Sequence, residues 1–410
     1  MVPTRIDHRL CSTCKGSRRL CGLPECPILT RIKQQIGISE KLKHIRELES
    51  PTPPSVLVGE YGYPIVRVGI NLPVSEGEAK LYENPAQWWG KLSLYEIVKL
   101  RAGLVYSYTR AQIRSVNSRS VEAVQEAAMS LKPVDSEVLF RKTPVFSMRF
   151  DPLLKPVGLA GEVEKMRVAD NPVVPRRVDQ LVEDRVKALP ALIELYECGY
   201  DIYYLQRLLS SGTLGFNRRL VPTRWAITAV DKHLGDHLLR KVREYPEIRE
   251  YEVYHSSYIG NRYTILLIPS AWSMEMIEAW LPRSVWVPGE KAQIYTIYER
   301  YSGHPTAEDG GYQAIRIAIL EYLNSSRKCA AALAIREITP DYFAPVGNWQ
   351  IREGVRNALK NKPLRANNLK EAFELVSSLT IIPIHEILRL SWLARSTERQ
   401  RSLTEFLDNS

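Results

Sequence analysis

The chain has no run of 18 or more apolar residues, so nothing in it reads as a membrane-spanning helix. No P-loop, GxGxxG turn, HExxH helix or GxSxG elbow occurs, which disfavours nucleotide hydrolysis of the P-loop kind. The opening residues, Met1 to Cys11, lack the apolar core of a signal peptide, so a cytoplasmic location is expected. No repeat of fixed period is visible. Cysteine is scarce: six in 410 residues, four of them within the first 26. Scattered cysteines in a secreted chain would suggest disulfides, whereas this cluster in an intracellular one points to metal. Cys198 and Cys329, in helical or apolar surroundings, read as inert packing.

What is present is the composition of a soluble globular protein, 45% hydrophobic and 25% charged, long enough for two or three packed units. A formal net charge of +10 favours polyanions by long-range attraction, without specifying sequence preference or chemistry. Residues 1–50 read as a cysteine module followed by a basic helical stretch from Arg31. Pro51-Thr52-Pro53-Pro54 breaks that pattern and opens a core over 51–395, with room for two subdomains, followed by a flexible tail over 396–410.

Within the core, Val56 to Val58 and Ile65 to Ile70 flank Glu60-Tyr61-Gly62-Tyr63-Pro64 as a hairpin, and Tyr251 to Ser256 and Arg262 to Ile268 flank Gly260-Asn261 as another. Strands are also expected over Ser284 to Val287, Gln293 to Tyr298 and Ala330 to Ile335. Helices are expected over 115–131, 177–198, 222–243, 311–325 and 348–360, and from 360 through Trp392. Ile227, Val230, Leu234, Leu238 and Val242 share one helical face. Hairpins mixed with helices, without regular strand–helix alternation, predict a mixed α/β (α+β) core beside the small four-cysteine module.

The first cysteines run Cys11-x2-Cys14-x6-Cys21-x4-Cys26. Zinc takes four thiolates tetrahedrally, and a CxxC pair lets one tight turn supply two of them. Four protein ligands leave no open position, so the reading is a structural zinc, with an iron–sulfur cluster as the alternative. The chain ends Gln400-Arg401-Ser402-Leu403-Thr404-Glu405-Phe406-Leu407-Asp408-Asn409-Ser410, which matches Gln-x-x-aliphatic-x-x-aromatic-hydrophobic, the peptide that docks on the sliding clamp. A short helical turn would put Leu403, Phe406 and Leu407 on one side as a plug, with Gln400 in a polar pocket. The competing reading is an amphipathic end that packs on its own core.

Three core segments carry chemistry. In Asn217-Arg218-Arg219-Leu220-Val221-Pro222-Thr223-Arg224, Pro222 opens a helix whose first N–H groups, beside three arginines, suit phosphate. Arg218, Arg219, Thr223 and Arg224 are the candidate phosphate contacts. Asp231, seven residues beyond Arg224, is the candidate metal ligand or base, with Mg²⁺ or Mn²⁺ as the ion. Glu308 and Asp309, before Gly310-Gly311, are further candidate catalytic carboxylates, although carboxylates also start helices for the dipole alone. In Gly347-Asn348-Trp349-Gln350-Ile351-Arg352, Asn348 reads first as a cap and Trp349 as packing. Arg352 and Arg356 share a face that meets either phosphate or solvent.

With both termini read, the chain resembles the archaeal Nre family of DNA-repair proteins. The likeness spans nearly the whole length and includes Val221-Pro222-Thr223-Arg224-Trp225-Ala226-Ile227-Thr228-Ala229-Val230-Asp231, Glu308-Asp309-Gly310-Gly311-Tyr312 and Pro345-Val346-Gly347-Asn348-Trp349. The resemblance implies an archaeal, nucleoid-associated protein acting in repair with the clamp PCNA, with DNA as a partner. It also implies phosphodiester cleavage of ADP-ribose-type nucleotides. Three functions remain open: a clamp-recruited factor that binds or cleaves nucleic-acid phosphates, a divalent-metal phosphodiesterase for ADP-ribose free or on DNA, and a non-catalytic repair adaptor.

Overall fold

The computed structural model describes Cys14 and residues 26–74, 79–144, 158–170, 172–284, 287 and 289–399. Among these residues two compact units are distinct. One runs from Cys14 through Leu234 and includes Ala344–Val346; the other comprises Gly235–Phe343 and the chain from Gly347 onward. Each has one six-stranded mixed sheet with helices, so the core is mixed α/β as expected. Among the described residues no helix is long and apolar enough to cross a membrane.

The strands of the first unit are β1 (Glu47–Thr52), β2 (Val56–Val58), β3 (Ile65–Pro73), β4 (Leu104–Gln112), β5 (Val134–Phe140) and β6 (Leu159–Val168). They pair in the order β1-β5-β6-β4-β3-β2, antiparallel except for β4 and β6. Alternation along β3 sends Val66, Val68, Ile70 and Leu72 to the core and leaves Ile65 and Arg67 outside. Helix α1 (Pro27–Lys41) begins on Pro27 directly after Cys26. Helix α2 (Leu94–Ala102) starts on a Ser93–Glu96 capping box. Helix α3 (Arg119–Met129) packs Val121, Val124 and Ala128 into the same core as β3. Pro51, read as a chain break, lies on β1, an edge strand, where a missing N–H is tolerated.

The single helix expected over 177–198 is two, α4 (Arg176–Glu183) and α5 (Ala188–Glu197). Arg185 takes φ of +50° between them, a left-handed conformation that ends an α-helix. Cys198, expected to pack inside, is exposed at the end of α5, whereas Cys329 is buried. Helix α6 (Ile202–Ser210) follows, then α7 (Thr223–Val242), close to the expected bounds. Of its predicted apolar face, Val230, Leu234, Leu238 and Val242 are buried and Ile227 is half-buried.

The second unit pairs β10-β9-β11-β8-β7-β12, where β7 is Tyr251–Tyr258, β8 Asn261–Ile268, β9 Met274–Trp280, β10 Gln293–Glu299, β11 Ala331–Ile338 and β12 Leu364–Ala366. Every residue of the central β11 is buried. Of the strand expected over Ser284 to Val287, the two end residues pair as an isolated bridge, and residues 285 and 286 lie outside the described residues. Helices α8 (Gly310–Ser326) and α9 (Trp349–Lys360) pack on one side of the sheet. Gly354 lets α9 approach β8, since a Cβ there would lie 2.2 Å from the Tyr263 ring. Helices α10 (Leu369–Leu379), α11 (Ile384–Leu390) and α12 (Trp392–Arg399) join the apolar cluster on the other side, through Phe373, Val376, Ile387 and Leu393.

Two buried carboxylates of the sheet tie down that last layer. Glu275 accepts from Ser391 Oγ (2.6 Å), Trp392 N (2.9 Å) and Leu393 N (2.8 Å), which caps the start of α12. Glu337 accepts from Ile381 N (2.6 Å) and Ile382 N (2.7 Å). Burial pushes both carboxyls above the usual carboxylate range, and these hydrogen bonds pull in the opposite direction.

Candidate functional site

The start of α7 is built around one hydroxyl. Thr223 Oγ1 accepts from Val58 N of β2 (2.9 Å) and lies 2.9 Å from Ser210 Oγ at the end of α6. Ser210 Oγ donates to Val221 O (3.0 Å), so the remaining proton between the two hydroxyls comes from Thr223. Thr223 is therefore committed to joining β2, α6 and α7. Beside it, Ile113 N donates to Pro64 O (3.0 Å) and Leu220 N donates to Ile113 O (2.9 Å). That relay lays the β2–β3 turn, the end of β4 and the approach to α7 side by side.

The arginines of this segment have different fates. Arg218 has φ of +39° and donates Nη2 to Val182 O (2.6 Å), where a cation suits the carbonyl end of α4. Arg219 is exposed. The Arg224 side chain is 82% exposed and lies 3.4 Å from Glu60 Oε1. At that exposure the pair is screened by water and holds little. Arg219 and Arg224 are thus available to a ligand, while Arg218 and Thr223 shape the backbone beneath them.

Asp231 is fully buried, and its Oδ1 accepts from Gln206 Nε2 (2.9 Å). The spacing of seven places Asp231 on the side of the helix that carries Arg224, but two turns further in, where the helix is covered. Arg224 reaches water and Asp231 does not.

In the second unit, Glu308 and Asp309 are exposed. Asp309 Oδ1 accepts from Tyr312 N (2.8 Å) and caps α8, the role that helix-start carboxylates commonly fill. Arg352, which the sequence leaves facing either phosphate or solvent, is fully buried in α9. Arg356 is held by Glu321 through two contacts of 2.8 Å and by Glu353 at 2.8 Å. Asn348 stands at the cap position of α9 without a side-chain cap bond, and Trp349 is buried.

A buried polar cluster beside these residues has no signal in the sequence. Asn261 Oδ1 accepts from Arg336 Nε (3.1 Å), Arg336 Nη2 (2.8 Å) and Gln350 Nε2 (3.4 Å). Arg336 Nη1 reaches Glu278 Oε2 at 2.5 Å, and Tyr263 OH reaches Gln350 Oε1 at 2.5 Å. These groups are distant in sequence and meet only through β8, β9, β11 and α9. Glu278 and Asp309 also approach Gly311, with oxygens 4.0 and 3.1 Å from where its Cβ would stand. Among the described residues, however, no group of three or more His, Cys, Asp or Glu side chains is placed to hold a metal ion. With Asp309 engaged as a cap and Glu278 paired to Arg336, we derive no metal-assisted step here.

Of the four cysteines, Cys14 is buried and Cys26 is half-buried at the start of α1, while Cys11 and Cys21 lie outside the described residues. Gln400, Leu403, Phe406 and Leu407 also lie outside them.

The model of the family described as Archaeal Nre, N-terminal, matches residues 20–287, and that of Archaeal Nre, C-terminal, matches residues 298–406. The chain belongs to the archaeal Nre family. DNA repair protein NreB of Archaeoglobus fulgidus is 34% identical over 400 residues, 97% of this chain and 100% of the relative. DNA repair protein NreA of the same organism is 34% identical over 97% of this chain and 98% of its own. DNA repair protein NreA of Haloferax volcanii is 33% identical over 83% and 85%. No solved structure matches this Nre chain. The boundary between the two family segments, near residue 290, falls inside the second unit's sheet rather than at the division within α7.

The placement of Thr223 and Asp231 predicts that both act on stability. Thr223→Val leaves the Val58 N–H without its acceptor, and a drop of about 1–3 kcal/mol in urea-unfolding free energy is expected. Asp231→Asn, which keeps an acceptor for Gln206, is expected to lose less than Asp231→Ala. Equal losses for Asn and Ala would remove the hydrogen bond as the reason.

Proposed function

We propose that this Nre chain is a cytoplasmic, nucleoid-associated DNA-repair protein that binds DNA phosphates at the start of α7 and is brought to its site by the PCNA sliding clamp. The observation that carries the reading is the division of labour in one segment. Arg219 and Arg224 stand exposed beside the first turn of a 20-residue helix, while Thr223 holds that turn in place and Asp231 ties the helix to α6 two turns further in. Such a helix end favours anions through its free N–H groups and dipole. The relatives' name, DNA repair protein, supports the same role.

Recruitment rests on the terminal peptide Gln400, Leu403, Phe406 and Leu407, whose spacing suits a plug in an apolar groove. Deleting residues 400–410 is expected to abolish PCNA binding in isothermal titration calorimetry and to leave the melting temperature unchanged. Undiminished affinity for the clamp refutes the docking role.

A structural zinc on Cys11, Cys14, Cys21 and Cys26 belongs to the same proposal, because a chain segment this short gains its folding energy from such a staple. Elemental analysis of the purified chain is expected to give one zinc per molecule. An absence of zinc, or an iron–sulfur absorption band, overturns it.

The enzymatic form of the proposal puts the catalytic carboxylate at the exposed Glu308, Asp309 beside it being taken up as the cap of α8. Its expected signature is release of AMP from ADP-ribose with Mg²⁺ or Mn²⁺, lost in Glu308→Ala. Intact ADP-ribose and intact DNA under every metal leave a binding and recruiting factor.

A further inference from the structure

The face above the backbone relay of the first unit carries rings that a folded protein ordinarily covers. Tyr61 is 93% exposed, Tyr63 49%, Ile65 57% and Trp225 45%. Gly62, at φ of +87°, turns the chain so that Tyr61 and Tyr63 both project from the tip of the β2–β3 hairpin. Tyr63 and Trp225 meet with ring centroids 5.2 Å apart and planes tilted by 45°. Exposed apolar groups gathered on one hairpin and a neighbouring helix start, with polar groups around them, mark a place of interaction.

The rim identifies what interacts. Pro64, Ile113 and Leu220 are joined through backbone hydrogen bonds, and the exposed Arg114 and Arg219 are the chain neighbours of Ile113 and Leu220, as Tyr63 and Ile65 are of Pro64. Arg224 precedes Trp225 in the first turn of α7. Arg67 lies two residues beyond Ile65 on the same side of β3, faces Arg110 across the β3–β4 ladder, and sits 4.6 Å from the centre of the Tyr108 ring. The carboxylates that pair with these arginines are Glu60, beside Arg224, and Glu162, 3.9 Å from Arg110. Five guanidinium groups against two carboxylates, interleaved with open aromatic rings, are complementary to a chain of phosphates that carries unstacked bases.

We infer that this face binds single-stranded DNA, with bases stacking on Tyr61, Tyr63 and Trp225 and phosphates tracking along Arg114, Arg219 and Arg224. The inference rests on the DNA-binding reading above and specifies the strand state it takes. Duplex bases are already stacked on one another and offer the rings nothing, whereas every unpaired base has a free π face. The arginines supply the salt-sensitive, sequence-independent part of the affinity. The rings supply a part that salt does not screen.

The test uses the full chain and fluorescence anisotropy on a labelled oligo-dT, the matching duplex and the matching RNA, each over a series of salt concentrations. Wild type is expected to prefer oligo-dT. Trp225→Ala and Tyr61→Ala are each expected to weaken oligo-dT binding about tenfold, with the salt slope unchanged and duplex binding little altered. Trp225→Phe restores most of the loss. Arg219→Ala with Arg224→Ala is expected to flatten the salt slope by about 1.4, about 0.7 for each phosphate contact on a single strand. Tyr61, exposed and clear of the core, guards against a Trp225 variant that fails to fold. Wild-type oligo-dT affinity in both ring variants overturns the inference, as does binding to RNA alone. Duplex binding without oligo-dT binding overturns it and leaves the DNA-repair reading standing; binding to neither defeats both. Ring variants that lose PCNA binding while keeping oligo-dT affinity make the face a protein contact and also overturn it.

Discussion

The hydroxyl of Thr223 is the constraint on which the exposed face of the first unit depends. Its oxygen hydrogen-bonds the edge strand β2 and the end of α6 to the start of α7. Its partners are a backbone N–H and another hydroxyl, groups that cost about 1–3 kcal/mol each if buried unsatisfied. Serine could supply the oxygen, but the β-branched threonine has fewer rotamers to lose. With that anchor set, the backbone relay from Leu220 through Ile113 to Pro64 fixes where the neighbouring side chains emerge. Arg224 and Trp225 project because Thr223, at the head of the same turn, is turned inward.

The second unit solves a different problem with the same chemistry. Its central strands are buried on both sides, so a charge placed there needs satisfied partners. Glu275 and Glu337 meet that condition with backbone N–H groups of the final helical layer, and Glu299 meets it with Arg316 (2.9 and 3.0 Å) and Trp272 Nε1 (2.7 Å). Arg336 is divided between Glu278 and Asn261. Glu275 and Glu299 have both oxygens hydrogen-bonded, Glu337 Oε2 lies 3.5 Å from Arg262 Nε, and Arg316 Nη1 lies 2.9 Å from Asp236 Oδ1; these pairings hold the layers in register. The contrast with the open, weakly paired arginines of the first unit is why the anion-binding reading is placed there.

How far the sequence could be read follows from what each signal requires. Helix α7 was legible because Val230, Leu234, Leu238 and Val242 repeat at helical spacing, and the hairpins because Gly62 and Gly260 mark their turns. Strand β6 was not, since Leu-Ala-Gly-Glu-Val-Glu-Lys-Met-Arg-Val spends half its length on an exposed face and carries four charges. The cut between α4 and α5 depends on a left-handed Arg185, a residue with no local preference for that conformation. Arg218, Arg219 and Arg224 were legible as a cluster, yet their separate roles were not. Only the fold decides that Arg218 turns back onto Val182 O while Arg219 and Arg224 face water. The Asn261–Arg336–Gln350 cluster was invisible, because its members lie on β8, β11 and α9 and come together only in the folded sheet.

Tyr61-Gly62-Tyr63 shows how one stretch can carry two meanings. As a turn, it needs only the glycine at φ of +87°. Tyrosine on either side adds nothing to the turn, and in water each exposed ring is a liability for solubility. An isolated exposed aromatic would be unremarkable, since folded surfaces are more than half apolar. Two rings at a hairpin tip, joined by a tryptophan from a helix more than 160 positions along the chain, require the fold to bring them together. The +10 charge of the chain attracts any polyanion from a distance, but it cannot distinguish a paired strand from an unpaired one. Open rings can, because stacking is available only to bases that have left their own stack, and that difference persists when salt removes the long-range attraction.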